Sequence, residues 1–297
     1  MAEFKSFLFG TSGWSYEDWR GVFYPEHPGG SFDSLQYAAE YFDALEINST
    51  FYRPPSPKTA ASWARRTEHK DGFLFTAKLH QRFTHQRHER WSDPEASVFK
   101  RGMDPLAQAG KLGGILVQFP WSFRNVPENR KWLAAVIGEF KNYPLFIEVR
   151  HASWATDDFF GYLDNAGVGL VDIDQPLFDN SLAPSGRVTG SNAYVRLHGR
   201  NRENWFKEGA GRDARYDYLY DEGELAEWVK RIRTLSKKAD TVFVFTNNHY
   251  RGQAAVNSLE LKSLLTGEKL PVPPELLAAY PRAKQIATPG ESQGQLL

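Results

Sequence analysis

Eight short apolar runs of strand length, alternating with longer segments of helical spacing, predict an α/β protein built as a single (β/α)8 barrel of the TIM type. Length agrees: 297 residues suit eight strand–helix units in one closed barrel, whereas a doubly wound sheet usually stops at five or six strands. The phase of the strands points the same way. Side chains alternate faces along a strand, and here polar residues recur at the C-terminal ends on the face opposite the apolar ones.

In chain order, Phe7–Ser12 is the first strand and Ser34–Tyr41 the first helix. Ala44–Asn48 follows as a strand with Leu45 and Ile47 on one face and Glu46 and Asn48 on the other. Pro57–Thr67 has helical spacing, and Phe73–Lys78 ends on Lys78. Helix Pro94–Ala109 leads to strand Ile115–Phe119, which carries Gln118. Helix Glu128–Phe140 leads to Leu145–Arg150, where Glu148 and Arg150 share a face opposite Ile147 and Val149. Helix Asp157–Asn165 precedes Gly169–Asp172, which ends on Asp172. Tyr194–His198 sets Arg196 beside His198, opposite Val195 and Leu197. Helix Glu222–Ser236, strand Val242–Asn247 and helix Ala254–Leu265 close the series. No Gly/Ser linker interrupts it, so residues 1–285 read as one barrel domain. Residues 286–297, rich in Gly, Pro, Ser and Gln, read as a flexible tail.

Composition narrows the function classes. Lys plus Arg number 36 and Asp plus Glu number 36, so there is no global positive field for nucleic acid or an anionic membrane. The absence of cysteine removes disulfides, thiolate zinc sites and Cys nucleophiles together. No apolar run approaches the roughly 20 residues that span a bilayer. The short apolar stretch within Met1–Gly10 is below signal-peptide length, so the expectation is a cytoplasmic protein without a membrane partner.

Several blocks together resemble the YecE-like family, catalogued as domain of unknown function 72. They are Gly10-Thr11-Ser12-Gly13-Trp14-Ser15-Tyr16 with Trp19, Leu45 through Tyr52, and Phe73 through Lys78 followed by Thr84-His85. Gly113-Gly114 through Pro120, Glu148 through His151 with Ser153-Trp154, Tyr194 through Gly199, and Phe245 through Asn248 complete the match. The resemblance runs from about residue 8 to about residue 265. It implies a TIM-type barrel and supplies no reaction.

A barrel carries its ligands and catalytic groups at the C-terminal ends of its strands. The residues expected there are Ser12, Glu46, Asn48, Lys78, Gln118, Glu148, Arg150, Asp172, Arg196, His198 and Asn247. Lys78, Arg150 and Arg196 come from three strands and suit a carboxylate or phosphate, the alternative being that each pairs with Glu46, Glu148 or Asp172. Glu148 and His198 are the expected acid–base pair, with Glu46 in reserve, because burial and neighbours can tune both groups towards neutrality. Trp14, Phe51, Tyr52, Trp121, Trp154 and Trp205 follow the strands, and Trp14 with Tyr52 would stack a sugar or base. A purely structural charge network is the bland alternative, although buried ion pairs seldom add net stability over apolar packing.

Two basic segments, His80–Arg90 and Arg200-Asn201-Arg202, could flank the same mouth and meet phosphates; a solvated loop is the simpler reading of the first. A metal held by Glu46, Glu148, Asp172 and His198 is chemically reasonable, but three cations in the same well would repel it. There is no Walker loop and no Gly-x-Ser-x-Gly elbow, and Gly113-Gly114 precedes a strand rather than opening a helix. A two-carboxylate glycosidase needs acids about 5 to 9.5 Å apart. No cofactor is legible. The expected function is a hydrolase, lyase or isomerase for a small anionic, ring-bearing substrate such as a sugar phosphate or nucleotide. The alternatives are a nucleic-acid-binding or metal-dependent phosphodiester-cleaving barrel, and a ligand-binding protein without chemistry.

Overall fold

The computed structural model describes residues 6–207, 209 and 212–289. The strands are β1 (Ser6–Ser12), β2 (Ala44–Ile47), β3 (Leu74–Lys78), β4 (Leu112–Gln118), β5 (Leu145–Glu148), β6 (Gly169–Asp174), β7 (Asn192–Leu197) and β8 (Thr241–Thr246). They pair in parallel and in sequence order, and β8 returns to β1 to close the barrel. The principal helices are α1 (Ser34–Tyr41), α2 (Pro57–Arg66), α3 (Gln81–Thr84), α4 (Asp93–Gln108), α5 (Pro127–Phe140), α6 (Asp157–Asn165), α7 (Arg212–Arg215), α8 (Glu222–Leu235), α9 (Gln253–Thr266) and α10 (Pro274–Ala279). Both the strand series and the seven helices expected from spacing fall within a few residues of these bounds.

Local chemistry sets the helix starts. Asp33 caps α1 by accepting from the backbone of Leu35 and Gln36, and the Arg66 guanidinium at the end of α2 pairs with the same carboxylate. Ser56 caps α2 ahead of Pro57, while Ser92 with Glu95 and Asp221 with Glu224 form capping boxes on α4 and α8. The alternation of strand and helix breaks once. The connection 175–191 between β6 and β7 contains no helix. It is held instead by Leu182 N–H donating to Arg150 O, Thr189 Oγ1 to Val168 O, and Gly190 N–H to Asp164.

The barrel interior is layered. Its lower part is apolar, with Leu116, Phe146, Val171, Ile173, Tyr194, Phe243 and Phe245 packed together. Phe146 fits because two strands carry glycine beside it: a Cβ on Gly114 or Gly169 would come within 2.5 Å of its ring. Gly114 therefore serves interior packing. Each buried aromatic of this kind contributes roughly 1.5 to 3 kcal/mol by leaving water. Above it the interior turns polar, and that upper layer is the floor of the site. Outside, the helices bury a continuous core against the outward strand faces, including Leu45, Ile47, Val117, Ile147 and Val149.

The start of the expected tail is pinned: Leu270 N–H donates to Ile286 O, Thr288 N–H donates to Leu270 O, and Ile286 packs on the core. Residues 290–297 of that tail lie outside the described residues. Among the described residues no helix is long and apolar enough to cross a membrane.

Candidate active site at the C-terminal mouth of the barrel

The upper interior layer is a chain of paired charges. Arg196 on β7 reaches across the barrel: Nη2 donates to Glu46 Oε1 on β2 and Nη1 to Glu148 Oε2 on β5, each at 2.6 Å. The second oxygen of Glu46 accepts from the Tyr194 hydroxyl at 2.6 Å, which lies 2.9 Å from Thr76 Oγ1. The second oxygen of Glu148 accepts from Arg150 Nε at 3.0 Å and Nη2 at 2.8 Å. It also lies 3.2 Å from His198 Nε2. Asn247 Nδ2 lies 2.9 Å from His198 Nδ1, and Nε2 of the same ring also has Arg150 Nη2 at 3.3 Å and Arg196 Nη1 at 3.4 Å. Two carboxylates thus hold two guanidiniums and one imidazole, and all four oxygens are occupied.

This pairing fixes the protonation states. Burial alone would raise the Glu148 carboxyl, but Arg196, His198 and Arg150 outweigh it and hold the group well below the usual carboxylate range. Burial lowers His198 to about 3, with Arg150 and Arg196 adding to the effect and Glu148 opposing it. In this arrangement the pairing favours the ionised form of Glu148, and burial favours the neutral form of the His198 imidazole, at neutral pH. The group that does titrate there is Lys78. Burial, then Arg196 and Arg150, lowers its ammonium to about 7 against the opposing pull of Glu148 and Glu46. Among the described residues Lys78 Nζ has no hydrogen bond or ion pair; it sits 4.0 Å from the centroid of the Phe51 ring.

Lys78 lies at a pocket of about 90 Å³ lined by Tyr16, Asn48, Phe51, Tyr52, Gln118, Arg196, Tyr216, Asn247 and His249. Of the residues expected from sequence, Asn48, Phe51, Tyr52, Lys78, Gln118, Arg196 and Asn247 line it. Glu46, Glu148, Arg150 and His198 are joined to it through Arg196, and Ser12 Oγ lies 3.5 Å from Arg196 Nη2. Tyr52 is a rim residue, 62% exposed. Two expected members are elsewhere. Asp172 faces the helix layer, because its neighbours Val171 and Ile173 are the interior pair, in register with Tyr194 and Arg196. Its carboxylate accepts from Ser185 N at 2.5 Å and Gly186 N at 3.2 Å and pins the β6–β7 connection. Trp14 packs edge-on to Trp63 and against Phe75, because Gly13, at φ 95°, turns the chain away from the strand line after Ser12.

Tyr16, Tyr216 and His249 were not expected as pocket residues. Tyr16 comes back to the mouth three residues beyond Gly13, and His249 stacks on it at 4.5 Å and 9°. His249 lies just past the Asn247-Asn248 block, and its position was within reach of the motif. Tyr216 sits beyond the loop that follows β7, where strand phase carries no information. Trp205 lies over this region, 6.3 Å from the His198 ring and 5.7 Å from the Arg150 guanidinium. Trp154 is fully buried, donating to Phe123 O, and Trp121 packs against His151 and Phe206.

The basic segments are largely committed. Arg82, buried, donates to Glu95 and to the carbonyls of Gln86, Glu89 and Arg90, so His80–Arg90 is organised from within while Gln86, His88, Glu89 and Arg90 remain exposed. Arg200 pairs with Asp174 and Glu224, and Arg202 donates to Leu177 O. Among the described residues no group of three or more His, Asp or Glu is arranged to hold a metal. The set Glu46, Glu148, Asp172 and His198 is divided between the two faces of the barrel wall, and its two glutamates are already paired with arginine, so it does not fit a metal.

A family model described as "Protein of unknown function DUF72" matches residues 8–281. The chain is 30% identical over 284 residues to the UPF0759 protein YunF of Bacillus subtilis (strain 168), covering 91% of this chain and 99% of that protein. It is 31% identical over 144 residues to the UPF0759 protein YecE of Escherichia coli (strain K12), covering 48% of this chain and 47% of that one. Its fold is similar to that of a DUF72 family protein from Thermotoga maritima. That match has a TM-score of 0.77 and 34% identity, covering 88% of this chain and 99% of the other.

Proposed function

The chain belongs to the DUF72 family, whose membership carries a barrel fold but no reaction, and from the site itself we propose that the barrel mouth is an active site for a small anion. The observation that carries this reading is the charge arrangement around Lys78. Arg150 and Arg196 are neutralised by Glu148 and Glu46, so the cation left to meet a ligand at the pocket is the Lys78 ammonium. The amides of Asn48, Gln118 and Asn247 line the same space and can donate to a phosphate or carboxylate.

Size bears on the substrate. A cavity of about 150 Å³ takes benzene, so about 90 Å³ accepts an anionic group and a few carbons, while a sugar or base would extend to Phe51 and the exposed Tyr52 at the rim. A phosphorylated or carboxylated small molecule fits this reading, with Lys78 as the group that gains or loses a proton during turnover. That favours a lyase or isomerase over a two-carboxylate hydrolase, because both carboxylates are tied to arginine. The nucleic-acid alternative loses support from the commitment of Arg82 and Arg200 to internal partners. A calorimetric screen of small phosphates, oxo acids and nucleotides, each challenged with sulfate, tests the proposal. Small anions displaced by sulfate are the expected result; binding that sulfate does not displace would refute a shared anion site.

A further inference from the structure

Among the described residues, every lysine that is not exposed, other than Lys78, donates to a partner. Lys262 pairs with Asp43 and Lys100 with Glu139, and Lys111 donates to the carbonyls of Thr67 and Lys70. Lys78 differs in place and surroundings. It ends a barrel strand at the pocket, has an aromatic face on one side, and has two arginines close enough to disfavour its charge. A lysine that is desolvated and beside other cations is in the setting that activates an amine as a nucleophile.

Building on the anion-site reading above, we propose that Lys78 Nζ condenses with the carbonyl of a small anionic aldehyde, ketone or 2-oxo acid to form a Schiff base. The neutral amine attacks the carbonyl carbon, forming the C–N bond and a carbinolamine. Both amine protons leave with the former carbonyl oxygen as water, giving the imine, which takes one proton from solvent. The protonated imine carries the same single positive charge as the ammonium it replaces. The attraction for the substrate's phosphate or carboxylate therefore persists, now next to a carbon whose C–H or C–C bond the iminium weakens. This narrows the chemistry to cleavage or isomerisation beside a carbonyl. Lys78 exchanges its proton at about pH 7, so both the ammonium that attracts the anion and the amine that attacks are populated at neutral pH.

The test uses the full chain with pyruvate or glyceraldehyde 3-phosphate as probe, sodium cyanoborohydride as the hydride source that fixes the imine as a secondary amine, and peptide mass mapping. The expected result is one reduced adduct at Lys78, formed at least about tenfold faster than at Lys100 or Lys262, slowed by sulfate and absent in Lys78→Arg. Mapping on the unmutated chain keeps the test independent of whether that variant folds. If sulfate binds in a pH-dependent way but Lys78 is labelled no faster than Lys100 and Lys262, the condensation is overturned and the anion site stands. If neither sulfate binding nor selective labelling is seen, both readings fall.

Discussion

Glu148 accepts from two arginines and His198 while shielded from water, so its charge is part of the scaffold of the site. Glu148→Gln leaves Arg196 and Arg150 short of their counter-charge in a buried layer, and breaking one partner of a buried pair costs about 3 to 5 kcal/mol. The variant should therefore melt markedly lower than the parent in a calorimetric scan; an unchanged melting temperature would show that the pairing is not structural. Lys78 gives a prediction of opposite sign. Its folded-state value of about 7 lies below the ordinary 10.5, so between these pH values the unfolded chain binds the extra proton and stability rises with pH. Lys78→Met removes a half-buried charge that costs most below pH 7. It should exceed the parent in melting temperature at pH 6, with the gap closing towards pH 10. A gap that is the same at both pH values would show that the ammonium is not depressed. These states were not legible in sequence, because a Glu on one strand and a His at the end of another read alike whether poised for proton transfer or locked by arginine.

At the scale of elements, strand existence and order were legible throughout, and strand phase placed Glu46, Lys78, Gln118, Glu148, Arg196, His198 and Asn247 on the interior side. The rule failed on β6. There Val171 and Ile173 fill the interior and Asp172 with Asp174 faces outward, the reverse of β5 and β7. Both faces of β6 are buried, so polarity alone could not say which side was the core; the repeat of Asp at 172 and 174 before an irregular connection was the available signal. Asp172→Ala should cost about 1 to 3 kcal/mol by leaving the backbone donors of Ser185 and Gly186 unpaired, while sulfate affinity stays at the parent value. Loss of sulfate binding in that variant, with the fold intact, would return Asp172 to the site. The loops were the other gap. A glycine at positive φ removed Trp14 from the mouth and brought Tyr16 to it, and periodicity does not continue through such a turn.

For the whole molecule, 36 basic and 36 acidic residues leave no net field, and Arg82 and Arg200 of the two basic loops are spent on internal carbonyls and carboxylates. Duplex and single-stranded DNA oligonucleotides are therefore expected to show no saturable binding in fluorescence anisotropy even at low salt; tight binding that weakens steeply with salt would contradict a pocket-only anion site. The closed barrel joins β1 to β5, β7 and β8 into one mouth, and it gathers two carboxylates, two guanidiniums and an imidazole into a balanced layer with, among the described residues, a single lysine beside it. The central claim is that this lysine is the cation that receives the ligand. The most direct measurement is calorimetric titration of the full chain with sulfate, whose charge is constant across the range, at pH 6 and pH 8. With Lys78 titrating at about 7, affinity should fall about tenfold from the lower pH to the higher and disappear in Lys78→Met. Equal affinity at the two pH values, or undiminished binding in the variant, would contradict it.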